Sequence, residues 1–252
     1  GVTRFSQIAA WSADELDKAT LGEARAFARR YYRPNNATLV VAGLFDAAAT
    51  KRLVTHYFGT IPAGSPPAAR TISPPKLVDS KRIDVEAAVD APAVMVAWPA
   101  PALHADGMEE LTYGLRYFAG CLRYRLVMEK QIANDVTTRY EHATFGGIAS
   151  VTVKLKPGES ADTALTVIDE YLSRAARVGR QWSFDGLKSS KTREIVSEVS
   201  AMEGLEGRAL RILHDLELHG APNSMQQDLR RFQSVDAADV GEAVEHFLVD
   251  RP

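Results

Sequence analysis

Two histidines and a glutamate fall within six residues at His214-Asp-Leu-Glu217-Leu-His219, the kind of cluster in which zinc chemistry is first sought. Zinc-binding histidines on one helix stand four apart, about 40° around the axis, whereas a spacing of five separates them by about 140°, so both cannot face one ion. The spacing therefore assigns them to ordinary helix positions, with His219 favourably placed near a helix C-terminus before Gly220. His142, following Glu141, reads as a structural residue at a strand end, and His56, His104 and His246 have no partner at ligand spacing. Cys121 is the single cysteine and falls within an apolar helical stripe, which reads as packing rather than nucleophilic chemistry. No Gly-x-Ser-x-Gly elbow and no phosphate-cradling loop occur. Gly204-Leu-Glu-Gly207 has the outline of an RNA-clamping loop, but Glu203 and Glu206 would repel phosphate, and its place between two helical patterns makes it a turn.

Composition narrows the classes further. A chain of 252 residues that is 46% apolar can bury about three quarters of its unfolded surface, enough for one large or two small domains. Thirty basic and 32 acidic residues give a net charge of -2 without blocks of like sign, so nucleic acid and anionic membrane are not implied as partners. One cysteine excludes an internal disulfide framework, and the longest strongly apolar stretch, Ala37 to Phe45, is too short to span a bilayer.

The elements that would position any site begin with a helix over Ala19 to Tyr32, a short buried strand over Thr38 to Ala42, and a helix capped by Asp46 and ended by Gly59. Pro62, Gly64, Pro66, Pro67, Pro74 and Pro75 then interrupt all periodicity and predict a linker. The expected organisation is a helix-strand-helix segment over 1–61, a linker over 62–79 and a second domain over 80–252. In that second domain Lys81 to Val89 and Ala93 to Trp98 read as strands. Gly107 to Lys130 is helical, with Leu111, Leu115, Phe118, Leu122 and Leu126 facing inward. Val136 to His142 and Ile148 to Lys156 follow as antiparallel strands around Gly146-Gly147. Helices are then expected with the stripe Leu165, Ile168, Leu172 and Ala176, and over Leu187 to Met202, Leu205 to Leu218, Met225 to Phe232 and Asp236 to Leu248. Strands grouped before helices predict an α+β fold, a mostly antiparallel sheet with helices packed on one face.

The start and end of the chain repeat one another. Thr20 and Glu23 open a helical pattern with Ala24, Ala28 and Tyr31 on one face, and Asp236 and Asp239 open another with Val240, Val244 and Phe247 at the same offset. Each pair has capping-box spacing. One expectation follows: residues 35–60 could supply, in the same chain or in a neighbour, the strand and helix that a second copy of the unit would have after Pro252, an idea that fails if Thr38 to Ala42 is unpaired with the strands of residues 80–156.

Tyr32-Arg-Pro-Asn-Asn-Ala-Thr-Leu-Val-Val-Ala-Gly43, then Phe45-Asp46, then Tyr57-Phe58-Gly59-Thr-Ile-Pro62, resembles the end of the first half of the pitrilysin/insulinase-type zinc peptidases, whose zinc motif is the inverted HxxEH. Beyond the linker, Ala97-Trp-Pro-Ala-Pro101, Leu122-Arg-Tyr-Arg-Leu126-Val127, Glu129-Lys-Gln-Ile-Ala133 and Gly207-Arg-Ala-Leu210 resemble the second half of short bacterial members. The resemblance implies two α+β halves of similar fold that close like a clamshell around a peptide. It also implies zinc held by two histidines and a glutamate, all upstream of the point matching Gly1.

What the resemblance implies for this chain is a non-catalytic portion. HxxEH does not occur, and the arginine and tyrosine that the family's second half can add correspond here to Val127 and Asn134, which lack a cationic donor and a phenol. Leu44 replaces the acidic residue usual before Phe45-Asp46. The expectation is a C-terminal portion of a zinc-dependent peptidase, inactive alone and without catalytic or metal residues, forming the chamber wall and a partner surface. The alternative is a segment of a wholly non-catalytic scaffold or partner subunit of the same fold. Expected partners are the first half-domain, a second subunit of the family and, for the whole enzyme, a peptide. A periplasmic or secreted location is implied by the resemblance alone.

Overall fold

The Thr-x-x-Glu spacing at the start of the first helix folds as the sequence predicts. The Glu23 amide donates to the Thr20 hydroxyl (3.2 Å) and the Thr20 amide donates to Glu23 Oε2 (2.9 Å), so two otherwise orphaned donors are satisfied. The Asp236/Asp239 pair closes a second capping box in the same way. The computed structural model describes residues 17–65, 77–143, 145–179 and 184–249. In chain order the elements are α1 (Leu21–Tyr31), α2 (Ala47–Phe58), β1 (Ala93–Ala100), α3 (Met108–Arg123), β2 (Ala133–Ala143), β3 (Gly146–Leu155), α4 (Ala161–Gly179), α5 (Phe184–Ala201), α6 (Leu205–His219), α7 (Met225–Ser234) and α8 (Ala237–Val244). Helices α3 and α8 each run on into a π-helical turn, Tyr124–Glu129 and Glu245–Val249. The chain divides into two units, Gly1–Pro75 with Val199–Ser224, and Lys76–Glu198 with Met225–Pro252.

In the first unit, α1 and α2 carry no buried residue. Local polar bonds organise the Arg-Pro-Asn-Asn turn between them. Asn36 caps the Tyr31 carbonyl (2.8 Å), while Asn35 exchanges two hydrogen bonds with the Gly64 backbone, donating at 2.9 Å and accepting at 3.0 Å. The strand expected over Thr38 to Ala42 is not formed: these residues join no ladder, and Leu39 is 60% exposed. Within one chain, residues 38–42 therefore supply no strand to complete a second αβ unit. Gly204 is the N-cap of α6, as an inter-helix turn requires, and Gly207 packs where a Cβ would strike the Ala201 carbonyl.

The second unit is built on a three-stranded antiparallel sheet in the order β1-β3-β2. Alternation along β3 sends Ala149, Val151, Val153 and Leu155 to one face, where all are fully buried. Against them pack Leu111, Leu115, Phe118, Leu122 and Leu126, the stripe read from the sequence, together with Ile168 and Leu172 of α4 and Val244 and Leu248 beyond. Helix α8 lies on both α3 and α4. Gly114 permits its approach, because a Cβ there would stand 2.5 Å from Val244 Cγ2. A smaller cluster of Tyr113, Leu187, Val235 and Val240 joins α3, α5 and α8, with Phe232 of α7 edge-to-face to Tyr113 at 5.8 Å. The result is α+β, helices on one face of an antiparallel sheet.

The strand expected over Lys81 to Val89 is absent. Ile83, Val85 and Val89 alternate as a strand should but join no ladder and are 69%, 79% and 65% exposed. A pleated pattern records a fitness for pairing, and pairing needs a partner edge. The linker expected over 62–79 lies mostly outside the described residues, as does the side chain of Ala176. Among the described residues no helix is long and apolar enough to cross a membrane.

Candidate functional site

The sheet of the second unit turns one face away from the helices. Registration across the three strands sets out rows on that face: Met95, Thr152 and Thr137; Ala97, Ser150 and Arg139; Pro99, Ile148 and Glu141. The strands that send valine to the core present hydroxyls, small side chains and two flexible or branched apolar groups here. Most of these residues, with Thr138, line a shallow hollow of about 470 Å³. Arg139 and Glu141 pair at 3.1 Å, so the lining carries one compensated charge pair. Such a surface can hydrogen-bond and make van der Waals contact with an extended chain.

One end of this face is shaped by β1. Pro101 follows the end of the strand, the Tyr140 hydroxyl donates to the Pro101 carbonyl at 2.9 Å, and Gly147 sits so close that a Cβ would stand 2.6 Å from that oxygen. Burial pushes the Tyr140 phenol above its ordinary range, keeping it a donor. At the other end, Val127 lies in the π-helical turn, half-buried against the core. Asn134 stands at the bulge between Ala133 and Asp135, its amide donating to the Leu155 carbonyl at 3.3 Å. Arg123 reaches the same bulge, bonding Asp135 at 2.8 Å and the Val136 carbonyl at 2.9 Å.

Each of the other residues singled out in the sequence has a local setting. His142 stacks edge-on to Tyr140, His56 to Tyr57 and His246 to Phe247. His214 lies within α6, and His219 in its last turn before the left-handed Gly220 cap. Leu44 is fully exposed. Cys121 is half-buried, beside the buried line of α3 that runs through Phe118 and Leu122.

One polar cluster had no local signal. Arg231 of α7 donates to both carboxylate oxygens of Glu109 (2.5 and 3.2 Å) and to the His104 carbonyl (2.8 Å), and His104 Nδ1 lies 3.7 Å from Asp228 Oδ1. Glu109 is buried, and its hydrogen bonds hold the Arg231 guanidinium above its ordinary range. The cluster locks the turn before α3, where His104 adopts a left-handed φ of 59°. Beside it, burial raises the Glu110 carboxyl.

The fold is shared with bacterial proteases. A protease from Helicobacter pylori superposes with a TM-score of 0.82 at 16% identity, over 95% of this chain and 58% of that one. A peptidase M16 inactive domain from Pseudomonas fluorescens gives 0.74 at 18% identity, over 94% and 56%. The periplasmic protease PqqL from Escherichia coli gives 0.66 at 17% identity, over 83% and 23%. The chain thus spans less than two thirds of the length of each of these relatives. No curated protein matches it. The family profile described as the peptidase M16 inactive domain matches residues 18–191, more than half the chain, and the protein belongs to that family.

Proposed function

We propose that this chain is the non-catalytic C-terminal portion of a zinc-dependent peptidase, whose open sheet face forms a wall of the substrate chamber. The observation that carries the reading is the one-sided sheet: helices bury the valine-rich face, and Met95, Thr137, Arg139, Glu141 and Ile148 are exposed on the other, where they line the hollow. A wall of this kind contributes enclosure and hydrogen bonds to an extended peptide, while HxxEH chemistry belongs to a zinc-bearing half. Val127 and Asn134, tied into core and backbone, leave this half without the family's Arg/Tyr pair, which suits the zinc-bearing member of a two-subunit enzyme.

The test is reconstitution. The chain alone should not cleave peptides, and joined to an HxxEH-bearing first half it should. Placing tryptophan at Thr137 or Thr152 should then lower kcat/KM without lowering the Tm. Cleavage by the isolated chain, or full activity with the hollow filled, defeats the reading. A coding region upstream of Gly1 without HxxEH would favour the alternative, a non-catalytic scaffold of the same fold.

A further inference from the structure

Helix α3 contains a glycine for which packing gives no reason. At Gly114 a Cβ would collide with Val244, but at Gly120, six residues on, an added Cβ meets nothing within 4 Å among the described residues. A glycine inside a helix forfeits about 1 kcal/mol relative to alanine, so a position that tolerates a side chain sterically and lacks one invites a further explanation. Gly120 lines a groove of about 360 Å³ between α3 and α4, whose other walls include Tyr117, Tyr124, Tyr171, Cys121 and Arg174. The groove lies within the second unit and is separate from the open sheet face.

The lining defines the ligand chemistry. Three tyrosines offer ring surface and phenol oxygens, and Tyr117 hydrogen-bonds Cys121. Aromatic rings alone would suit a cation, but Arg174 is the sole ionised group of the lining among the described residues, with no described carboxylate beside it there, so a cation is repelled and an anion attracted. The volume falls at the small end of the range of about 300–1,000 Å³ that ligand pockets occupy. We propose that this groove binds a small free aromatic carboxylate, its ring among the tyrosines over Gly120 and its carboxylate on the Arg174 guanidinium.

The test uses the full chain with N-acetylphenylalanine as the probe. Binding is followed by calorimetry and by alkylation of Cys121, which reports the groove directly because it is the single cysteine. The acid should bind and slow alkylation. Its uncharged amide, and the acid with R174Q, should each bind about tenfold to a hundredfold more weakly, the worth of one charge-assisted hydrogen bond. G120L should abolish binding and protection with no fall in Tm, since its side chain enters open space. Equal binding of acid and amide, tighter binding of phenyltrimethylammonium, retained binding in G120L, or no protection of Cys121 at about 10 mM acid would overturn the proposal. Tighter binding of a peptide ending in phenylalanine would overturn the assignment to a free acid.

Discussion

Replacing Arg231 with methionine should destabilise the second unit by about 3 kcal/mol. Glu109 has a side chain only 4% exposed, and Arg231 provides both of its charge-assisted hydrogen bonds, at 2.5 and 3.2 Å, besides one to the His104 carbonyl. Removing one partner of a buried pair typically costs about 3–5 kcal/mol, because the other charge is left in a site built for the pair. Arg231 is itself 33% exposed, so water can partly replace it, and the lower end applies. Methionine keeps the aliphatic stem, confining the change to the charge. With a urea slope of about 2 kcal/mol/M, the midpoint should fall by about 1.5 M. The double variant E109M/R231M should recover much of the loss, since no orphaned carboxylate remains. An R231M loss below about 1 kcal/mol, or a double variant that loses the sum of the two single losses, would refute this account.

The raised Glu110 carboxyl makes a related prediction, because its Oε2 is buried without a hydrogen-bond partner among the described residues. Stability relative to E110Q should be greatest below the unfolded pKa and decline as pH rises through the folded one, which paired melting curves across pH will show. G114A should lower stability by about 1–3 kcal/mol through the clash with Val244. G120A, in the same helix, should raise stability by up to about 1 kcal/mol; urea titration of the pair separates steric need from helix propensity. N35A should loosen the turn at Gly64 by removing both of its hydrogen bonds, seen as faster amide exchange at Gly64 with little change in Tm.

The elements that could be read from the sequence are those whose signal is local. The stripe Leu111, Leu115, Phe118, Leu122, Leu126 repeats at helical period and is buried as a line, and both capping boxes lie within four consecutive residues. The strands over Thr38 to Ala42 and Lys81 to Val89 show the limit of such reasoning, since alternation is a property of a segment and a ladder is a property of two. The candidate surface was illegible for the same reason. Met95, Thr152 and Thr137 become neighbours only through the register of three strands, and nothing near Glu109 announces an arginine on a helix far along the chain. The absence of HxxEH, by contrast, was legible at once.

The unpaired alternation of Ile83, Val85 and Val89, with Leu39 and Val41 elsewhere also outside any ladder, has a consequence for the life of the protein in a cell. Extended apolar segments held in water are what chaperones and degradative proteases grip, and what neighbouring copies use to nucleate aggregates. Copies in which these segments are covered should persist, and copies in which they are not should be cleared or precipitate. Steady-state abundance would then follow the supply of whatever covers them more closely than the rate of this chain's own synthesis, and overexpression in isolation should fill inclusion bodies before it fills the soluble fraction.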